Sequence, residues 1–358
     1  MRVVVTGATG NAGTSVIGAL ALDPAISRIT GAARRLPGPG VGRAEGVQWE
    51  TADVDPGGSD LDALLRGADA VVHLAWKFQP THDPVETWRT NALGSIRVFE
   101  ACARNDVQVL VHASSVGAYS PGPEDGRPVD ESWPTHGWPG AAYTREKAYL
   151  DGFQRANPSM RVVRMRPGFL FKRAAASEQR RIFAGPLLPW WLVRPGLLPA
   201  VPGIRGLRFQ VLHTDDAADA YRAAVVRPVR GPFNLVADPI LDSGAVGRLL
   251  HARTVALPAA AARSALSAAW RLRLVPAAPG LLDAVLRLPM LDAGRARTKL
   301  GWIPQHTALE AFEEFLAGLR EGAGANTAPL AGAGGRAGGS GSQNATGQGP
   351  VKWTHGRV

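Results

Sequence analysis

Residues 2–13 of the chain read RVVVTGATGNAG, an apolar β-branched run that leads into a glycine-rich turn. The run predicts a buried strand from Arg2 to Val5, and the residues that follow predict a helix from Thr14 to Leu22. Glycines between a strand and a helix permit a tight turn, and the free N–H groups at the helix N-terminus can face a pyrophosphate. The stretch therefore predicts a dinucleotide cradle, which consists of Gly7, Thr9, Gly10, Asn11, Ala12 and Gly13.

Strand and helix patterns alternate through the first half of the chain. Strands are predicted at 28–33, 47–51, 70–74, 109–113 and 161–166, and helices at 61–65, 88–105 and 142–157. This alternation predicts an α/β fold with a doubly wound parallel sheet, the Rossmann arrangement. We expect residues 1–170, with 207–237 returning to them, to form the dinucleotide-binding domain. Residues 171–206 and 238–321 are expected to form a smaller, mostly helical substrate-binding region.

The composition changes at Gly322, where the chain becomes rich in Gly, Ala, Ser, Asn and Gln. Such a segment buries too little apolar surface to offset the entropy lost on ordering. The sequence predicts a disordered tail over 322–358. Deleting residues 323–358 is accordingly expected to leave cofactor affinity and thermal midpoint almost unchanged.

Charge and composition exclude several classes of protein. The net charge is +10, but the basic residues are scattered, so no specific nucleic-acid partner is predicted. Cys102 is the single cysteine, which leaves no internal disulfide and no cysteine-based metal site. The histidines lack the spacing of a zinc protease, so no metal is expected. Prolines and an arginine interrupt the most apolar stretch, 182–201, so no membrane span is predicted and a cytoplasmic protein is the default.

The spacing Tyr143-x-x-x-Lys147 points to acid/base chemistry, because residues four apart share one helix face. A tyrosine hydroxyl is a poor proton carrier at neutral pH, but a nearby ammonium stabilises its phenolate. Ser114 and Ser115 follow the predicted strand 109–113, so they lie at the sheet edge where such folds bind ligands. A phenol, an ammonium and a serine hydroxyl together indicate an enzyme that moves a proton while a cofactor moves a hydride.

The end of the second predicted strand bears on the choice of cofactor. A carboxylate there would hold the ribose 2′-hydroxyl of NAD, but the sequence has Arg34 and Arg35 instead. Guanidinium groups pair well with the 2′-phosphate of NADP. The residues favour NADP over NAD, although a solvated basic loop is the alternative interpretation.

Taken together, these motifs resemble the extended short-chain dehydrogenase/reductases of the NAD-dependent epimerase/dehydratase family. Further matching segments are 69–75, 91–95, 166–168, 213–217 and the C-terminal stretch 298–304. The resemblance implies Tyr143 as general acid/base and Lys147 as the group that binds the nicotinamide ribose and tunes the tyrosine. It selects Ser115 over Ser114, and it places Asp53 near the adenine. The other cofactor contacts that it implies are Val54, Leu74, Ala75, Asn91 and Pro167.

Two residues depart from the family pattern. Trp76 stands where a small residue is frequent, so the indole either narrows the pocket or points elsewhere. Tyr119 lies in a segment that differs from the common motif, and it either shapes the substrate site or packs as an aromatic residue. Neither change removes a catalytic group.

The function expected is NAD(P)-dependent hydride transfer at a secondary alcohol or ketone carbon. The substrate is either a carbonyl compound or a nucleotide sugar; in the latter case the enzyme is an epimerase or dehydratase that retains its cofactor. A non-catalytic NADPH-binding regulatory module is the remaining alternative. The resemblance also implies a homodimer formed by the helices at 88–105 and 142–157.

Overall fold

The computed structural model of the chain describes residues 1–41, 47–79, 81–153, 160–185 and 196–332. The strands are β1 (Arg2–Thr6), β2 (Arg28–Ala33), β3 (Val47–Thr51), β4 (Ala70–His73), β5 (Val109–Ala113), β6 (Arg161–Pro167), β7 (Phe169–Phe171), β8 (Ala200–Ile204), β9 (Arg208–Phe209), β10 (Val211–His213), β11 (Gly231–Leu235), β12 (Leu241–Asp242) and β13 (Arg253–Leu257). The helices are α1 (Asn11–Ala21), α2 (Leu61–Leu65), α3 (Pro84–Trp88), α4 (Gly94–Arg104), α5 (Ala142–Gly152), α6 (Ala176–Phe183), α7 (Thr214–Val226), α8 (Ser243–Leu249), α9 (Ala259–Arg271), α10 (Pro279–Val285) and α11 (Ala308–Glu321).

Seven parallel strands form the central sheet in the order β3-β2-β1-β4-β5-β6-β11. The strand order reverses between β1 and β4, which makes that point the topological switch of a doubly wound sheet. The predicted α/β Rossmann fold is confirmed. The helix predicted over 88–105 is divided: α3 and α4 are joined by a π-helical turn at Arg89–Leu93.

The side chains of the strands alternate between two apolar cores, one on each face of the sheet. In β1, Val3 and Val5 enter the core that also contains Ile17 and Leu20 of α1. Val4 points to the opposite core, which contains Leu61, Leu65, Phe99 and Cys102. This two-sided burial explains why the strands read as continuous apolar runs.

The register of the central strands brings their carboxyl ends to one edge. Thr6 at the end of β1 is level with Ala32 of β2 and His73 of β4. The glycine turn, the arginine pair and the residues after β4 therefore leave the sheet side by side. A ligand that bridges these segments binds at the switch point.

The chain beyond β11 is largely helical. It contains helices α8 to α11, and β13 pairs in parallel with β8. Helix α11 begins with a capping box between Thr307 and Glu310 and ends at Gly322 in a left-handed conformation with φ 61°. In the described ranges no helix is both long and apolar enough to cross a membrane.

The segment after α11 corrects the prediction that disorder begins at residue 322. Leu330 is fully buried and Thr327 is 3% exposed. Backbone and side-chain hydrogen bonds, rather than a broad apolar face, fix this short segment against the body of the protein. The rest of the predicted tail, 333–358, lies outside the described residues.

Candidate active site

The glycine turn after β1 has no room for side chains at two of its positions. Gly7 has φ +69°, and a Cβ there would lie 2.7 Å from the backbone nitrogen of Ala75. A Cβ on Gly13 would collide with the carbonyl oxygen of Gly7. Helix α1 begins at Asn11, directly after this turn, and its first amide groups have no acceptor within the helix. The turn therefore has the geometry of an anion cradle.

Neighbouring segments hold the cradle in place. The side chain of Asn11 donates to the carbonyl oxygen of Leu170 at 3.1 Å and accepts from Thr214 at 3.1 Å. The backbone nitrogen of Leu74 donates to the oxygen of Thr6 at 3.1 Å. The Asn11 side chain is thus a structural tie, and its backbone amide is the part available to a phosphate.

The segments predicted to hold the adenosine half lie along the same edge. Arg34 and Arg35 follow β2 and are both exposed. Asp53 follows β3, its carboxylate accepts from the Asp55 amide at 3.1 Å, and its own amide donates to Ser59 Oγ at 2.9 Å. Val54 next to it is buried. The arginine pair is thus open to solvent at the end of β2.

Tyr143 and Ser115 lie together at the carboxyl end of β5. The Tyr143 hydroxyl donates to Ser115 Oγ at 2.8 Å. Ser115 caps a short turn and accepts from the Gly117 amide at 3.0 Å, which fixes its hydroxyl. Ser114 lies elsewhere: its hydroxyl donates at 2.5 Å to Asp151, which is buried. The structure brings Ser115, and not Ser114, to the tyrosine.

Lys147 lies one turn further along α5, 4% exposed. Its Nζ donates to the carbonyl oxygen of Ala113 at 2.7 Å and lies 3.4 Å from the centre of the Trp76 indole ring. Burial lowers the pKa of Lys147 to about 7, against the opposing charges of Glu146 and Asp151. The ammonium is thus held by a carbonyl dipole and an aromatic face beside the tyrosine.

The environment of Tyr143 favours the protonated phenol. Burial raises the pKa of Tyr143 to about 12; the hydrogen bond with Ser115 acts in the opposite direction, and the charge of Glu146 adds to the rise. A positive charge brought close to the hydroxyl would lower this value again. The residue is therefore suited to donate a proton at neutral pH and, beside a cation, to accept one.

Aromatic side chains surround the tyrosine. Phe78 stacks on the Tyr143 ring with centroids 5.1 Å apart, and Trp76 meets it edge-on at 5.8 Å. Phe183 of α6 contacts Phe78 at 5.8 Å. Of the two alternatives for Trp76, the structure places the indole at the site. Phe78 and Phe183 carried no recognisable signal in the sequence, because they meet only in the folded chain.

Asn91 and Pro167 have different surroundings. The Asn91 side chain is fully buried, exchanges hydrogen bonds with the backbone of Lys77 at 2.8 Å and donates to Glu146 at 2.7 Å. It thus ties the segment after β4 to α5. Pro167 ends β6 at the carboxyl edge of the sheet.

Sequence reasoning missed a buried ionic network next to Ser114. Asp151 is fully buried and pairs with Arg166, which also donates to the Tyr119 hydroxyl at 2.7 Å. Tyr119 in turn donates to Asn234 at 2.6 Å. Tyr119 is therefore a packed residue within a polar network. Its partners are far apart in sequence, so no local spacing could reveal them.

Two buried histidines, His73 and His112, favour the neutral form of the imidazole. Burial lowers the pKa of His73 to about 3 and that of His112 well below its usual value. His73 hydrogen-bonds with Thr6 at 2.7 Å and Ser95 at 2.8 Å. Across the described parts of the chain, no group of three or more His, Cys, Asp or Glu side chains is arranged to hold a metal.

Comparison with known proteins identifies the family. The chain belongs to the NAD dependent epimerase/dehydratase family, whose model matches residues 3–235. An uncharacterized protein of Mycobacterium tuberculosis is 25% identical over 336 residues, which cover 88% of this chain and 83% of that protein. UDP-glucose 4-epimerase of Azospirillum brasilense is 27% identical over 334 residues, or 86% of this chain and 89% of the relative.

A solved structure shares the fold. UDP-glucose 4-epimerase of Thermus thermophilus in complex with NAD superposes with a TM-score of 0.64 at 20% identity, covering 89% of this chain and 99% of that one. At this identity the likeness shows the fold alone. The family is one of enzymes.

Proposed function

We propose that the protein catalyses nicotinamide-dependent hydride transfer at a secondary alcohol or ketone carbon, with Tyr143 as the general acid/base. The observation that carries this proposal is the 2.8 Å contact between Tyr143 Oη and Ser115 Oγ at the carboxyl edge of the sheet, with Lys147 one helical turn away. Ser115 holds the substrate oxygen, and Tyr143 gives it a proton in reduction or takes one in oxidation. A non-catalytic module has no need of this arrangement.

The cradle fits a dinucleotide, because Gly7 and Gly13 permit a tight turn that leads directly into the first amides of α1, where a phosphate can bind. When bound, the nicotinamide accepts or supplies the hydride. Lys147 holds the adjoining ribose, and its ammonium lowers the cost of forming the Tyr143 phenolate. The buried site keeps water away from these groups, which strengthens the interaction of their charges.

We further propose that the cofactor is NADP(H) in preference to NAD(H). Arg34 and Arg35 are exposed at the end of β2, where an acidic residue would select NAD. The solved structure of UDP-glucose 4-epimerase from Thermus thermophilus contains NAD, which indicates NAD as the cofactor of that protein. The arginine pair at the end of β2 carries the proposal.

NADPH is expected to bind this protein about tenfold or more tightly than NADH, since a hydrogen bond to a charged group contributes about 1.5–3 kcal/mol. Arg34→Ala/Arg35→Ala is expected to reduce the preference with little change in NADH affinity. Titration followed by nicotinamide fluorescence measures both constants. Arg66→Ala, at the opposite edge of the sheet, is the matched control. Equal affinities for both cofactors in the unmodified protein would disprove the preference.

Two substrate classes fit this chemistry. The aromatic rings of Phe78 and Phe183 favour a carbonyl compound that carries an apolar group near the reacting carbon. The nucleotide-sugar epimerase of Azospirillum brasilense favours a nucleotide sugar, which an enzyme with a retained cofactor would epimerise or dehydrate. A screen of both classes separates them, because reduction of a carbonyl compound consumes NADPH and epimerisation does not. In either case we propose residues 171–206 and 238–321 as the substrate-binding region.

We also propose a homodimer in which residues 88–105 and α5 of one subunit pack on those of the other. Trp88 and Tyr149 contact each other at 5.0 Å and are 36% and 44% exposed, and Leu93 nearby is 41% exposed. Such a patch is costly to leave in water and suits an isologous interface.

Light scattering at micromolar concentration is expected to give the mass of two chains. Tyr149→Arg is expected to give the mass of one chain with an unchanged circular dichroism spectrum, because the substitution places a charge within the apolar contact. A single-chain mass for the unmodified protein would contradict the dimer.

A further inference from the structure

The ten residues after the α11 cap, 323–332, form a compact loop, called here the C-terminal loop. The amide of Ala325 donates to the carbonyl oxygen of Leu330 at 2.7 Å, and the amide of Leu330 donates to Thr327 Oγ1 at 3.3 Å. Leu330 is fully buried. The loop thus has a defined shape of its own.

The C-terminal loop connects two segments that flank the proposed cofactor groove. Thr327 Oγ1 donates to the carbonyl oxygen of Thr9, within the cradle, at 2.8 Å. The Gly38 amide donates to the oxygen of Asn326 at 2.8 Å, and Asn326 Nδ2 donates to the oxygen of Pro39 at 2.9 Å. Gly38 and Pro39 lie on the segment that carries Arg34 and Arg35. The loop therefore holds the end of β2 against the end of β1.

A third attachment joins the C-terminal loop to α6. Arg181 donates to the carbonyl oxygen of Ala331 at 2.6 Å and to that of Pro329 at 2.5 Å. The amide of Ser177, also on α6, donates to Ala323 at 3.4 Å. The loop therefore spans from the cradle to the proposed substrate-binding region.

These contacts leave the cradle's donors free. Thr327 occupies a carbonyl oxygen, which repels phosphate oxygens, and does not occupy the amides at the start of α1. Asn326 likewise binds the backbone beyond the arginine pair and not the guanidinium groups. The loop can thus cover the groove without competing for the groups that bind phosphate.

We propose that the C-terminal loop is a cofactor-retaining element that closes the adenosine end of the groove, with Asn326 and Thr327 as its positioning residues. This inference rests on the proposed function, because it requires a dinucleotide in the cradle. The loop fixes the spacing between the arginine pair and the cradle before the cofactor binds, so that less conformational entropy is lost on binding. It must also open, or the segment after β2 must move, before the adenosine end can leave.

The test compares four forms of the protein: the full chain, a chain that ends at Gly332, a chain that ends at Gly322, and the full-length variant Asn326→Ala/Thr327→Val. NADPH release is followed in a stopped-flow chase by the loss of nicotinamide fluorescence. The contacts of the loop replace the small effect that composition predicted for this deletion: removal of 323–358, or the double substitution, is expected to speed release about tenfold or more. The chain that ends at Gly332 keeps the loop and is expected to release NADPH at the rate of the full chain.

Each outcome has a distinct meaning. Unchanged release in the double variant, with a native thermal midpoint, overturns the loop's role. Tighter binding after truncation at Gly322 also overturns it, since it would show that the loop obstructs the groove. If the chain that ends at Gly322 does not fold, the rate of NADPH release from the double variant tests the proposal, because that variant keeps the whole chain. Failure of the full chain to bind NADPH or NADH contradicts the proposed function itself.

Discussion

Tyr143→Phe lowers turnover by about 10²–10⁴-fold, the range expected when a positioned acid/base is lost. The substitution removes one hydroxyl and keeps the ring, so the stacking on Phe78 and the edge contact with Trp76 remain. The thermal midpoint and the affinity for NADPH should therefore stay close to those of the native protein. Initial rates on a substrate from the screen, together with a cofactor titration, measure both effects.

Ser115→Ala and Ser114→Ala provide a matched pair for this test. Ser115 lies at the Tyr143 hydroxyl, so its loss should slow turnover with little effect on cofactor affinity. Ser114 donates to buried Asp151, so its loss should lower the thermal midpoint and affect turnover much less. Full activity of Tyr143→Phe on a confirmed substrate would refute the acid/base assignment.

Asp151→Asn lowers the free energy of unfolding by about 3–5 kcal/mol, because it leaves the Arg166 guanidinium buried without its counter-charge. Asp151 and Arg166 have side chains 0% and 3% exposed, and Arg164 shares the carboxylate at 3.1 Å. Chemical denaturation monitored by circular dichroism measures the loss. Asp62→Asn is the control, since the Asp62–Arg104 pair is half exposed and contributes about 0–1 kcal/mol.

The same variant has a defined pH dependence. Burial raises the pKa of Asp151, but the hydrogen bond and charge of Arg166, with Arg164 and Ser114, outweigh it and hold the pKa below its ordinary 3.8. A carboxyl whose pKa is lowered by folding stabilises the protein above pH 3.8 and loses that contribution as the pH falls through the folded value. The stability gap between native protein and Asp151→Asn should therefore be full at pH 7 and narrow below about pH 3.8. An unchanged gap at pH 3 would show that the network does not depend on this charge.

Local patterns in the sequence were sufficient to predict the strands of the sheet and the helix that carries Tyr143 and Lys147. The strand at Arg2 and this helix can each be recognised within about a dozen residues, because strand and helix periods are short-range properties. The π-turn at Arg89–Leu93 was not predictable, since apolar periodicity does not distinguish a single π-turn from the α-helix on either side of it.

In the C-terminal loop, composition predicted disorder where the structure shows an ordered segment. Gly and Ala around Thr327 and Leu330 indicated disorder, yet a few hydrogen bonds to Thr9, Gly38 and Arg181 fix the chain there. These partners are 148 to 318 residues away in the sequence, so no local window contains both sides of a contact. The same holds for the aromatic rings around Tyr143.

The most direct test of hydride transfer uses NADPH deuterated at the transferable position and the native protein, with carbonyl compounds as acceptors and nucleotide sugars assayed in parallel for epimerisation or dehydration. Mass spectrometry of the products is expected to show one deuterium on the carbon that bears the new hydroxyl, and this product should fall about 10²–10⁴-fold in Tyr143→Phe. The account is contradicted if the native protein binds NADPH, yet passes deuterium to no acceptor and converts no nucleotide sugar.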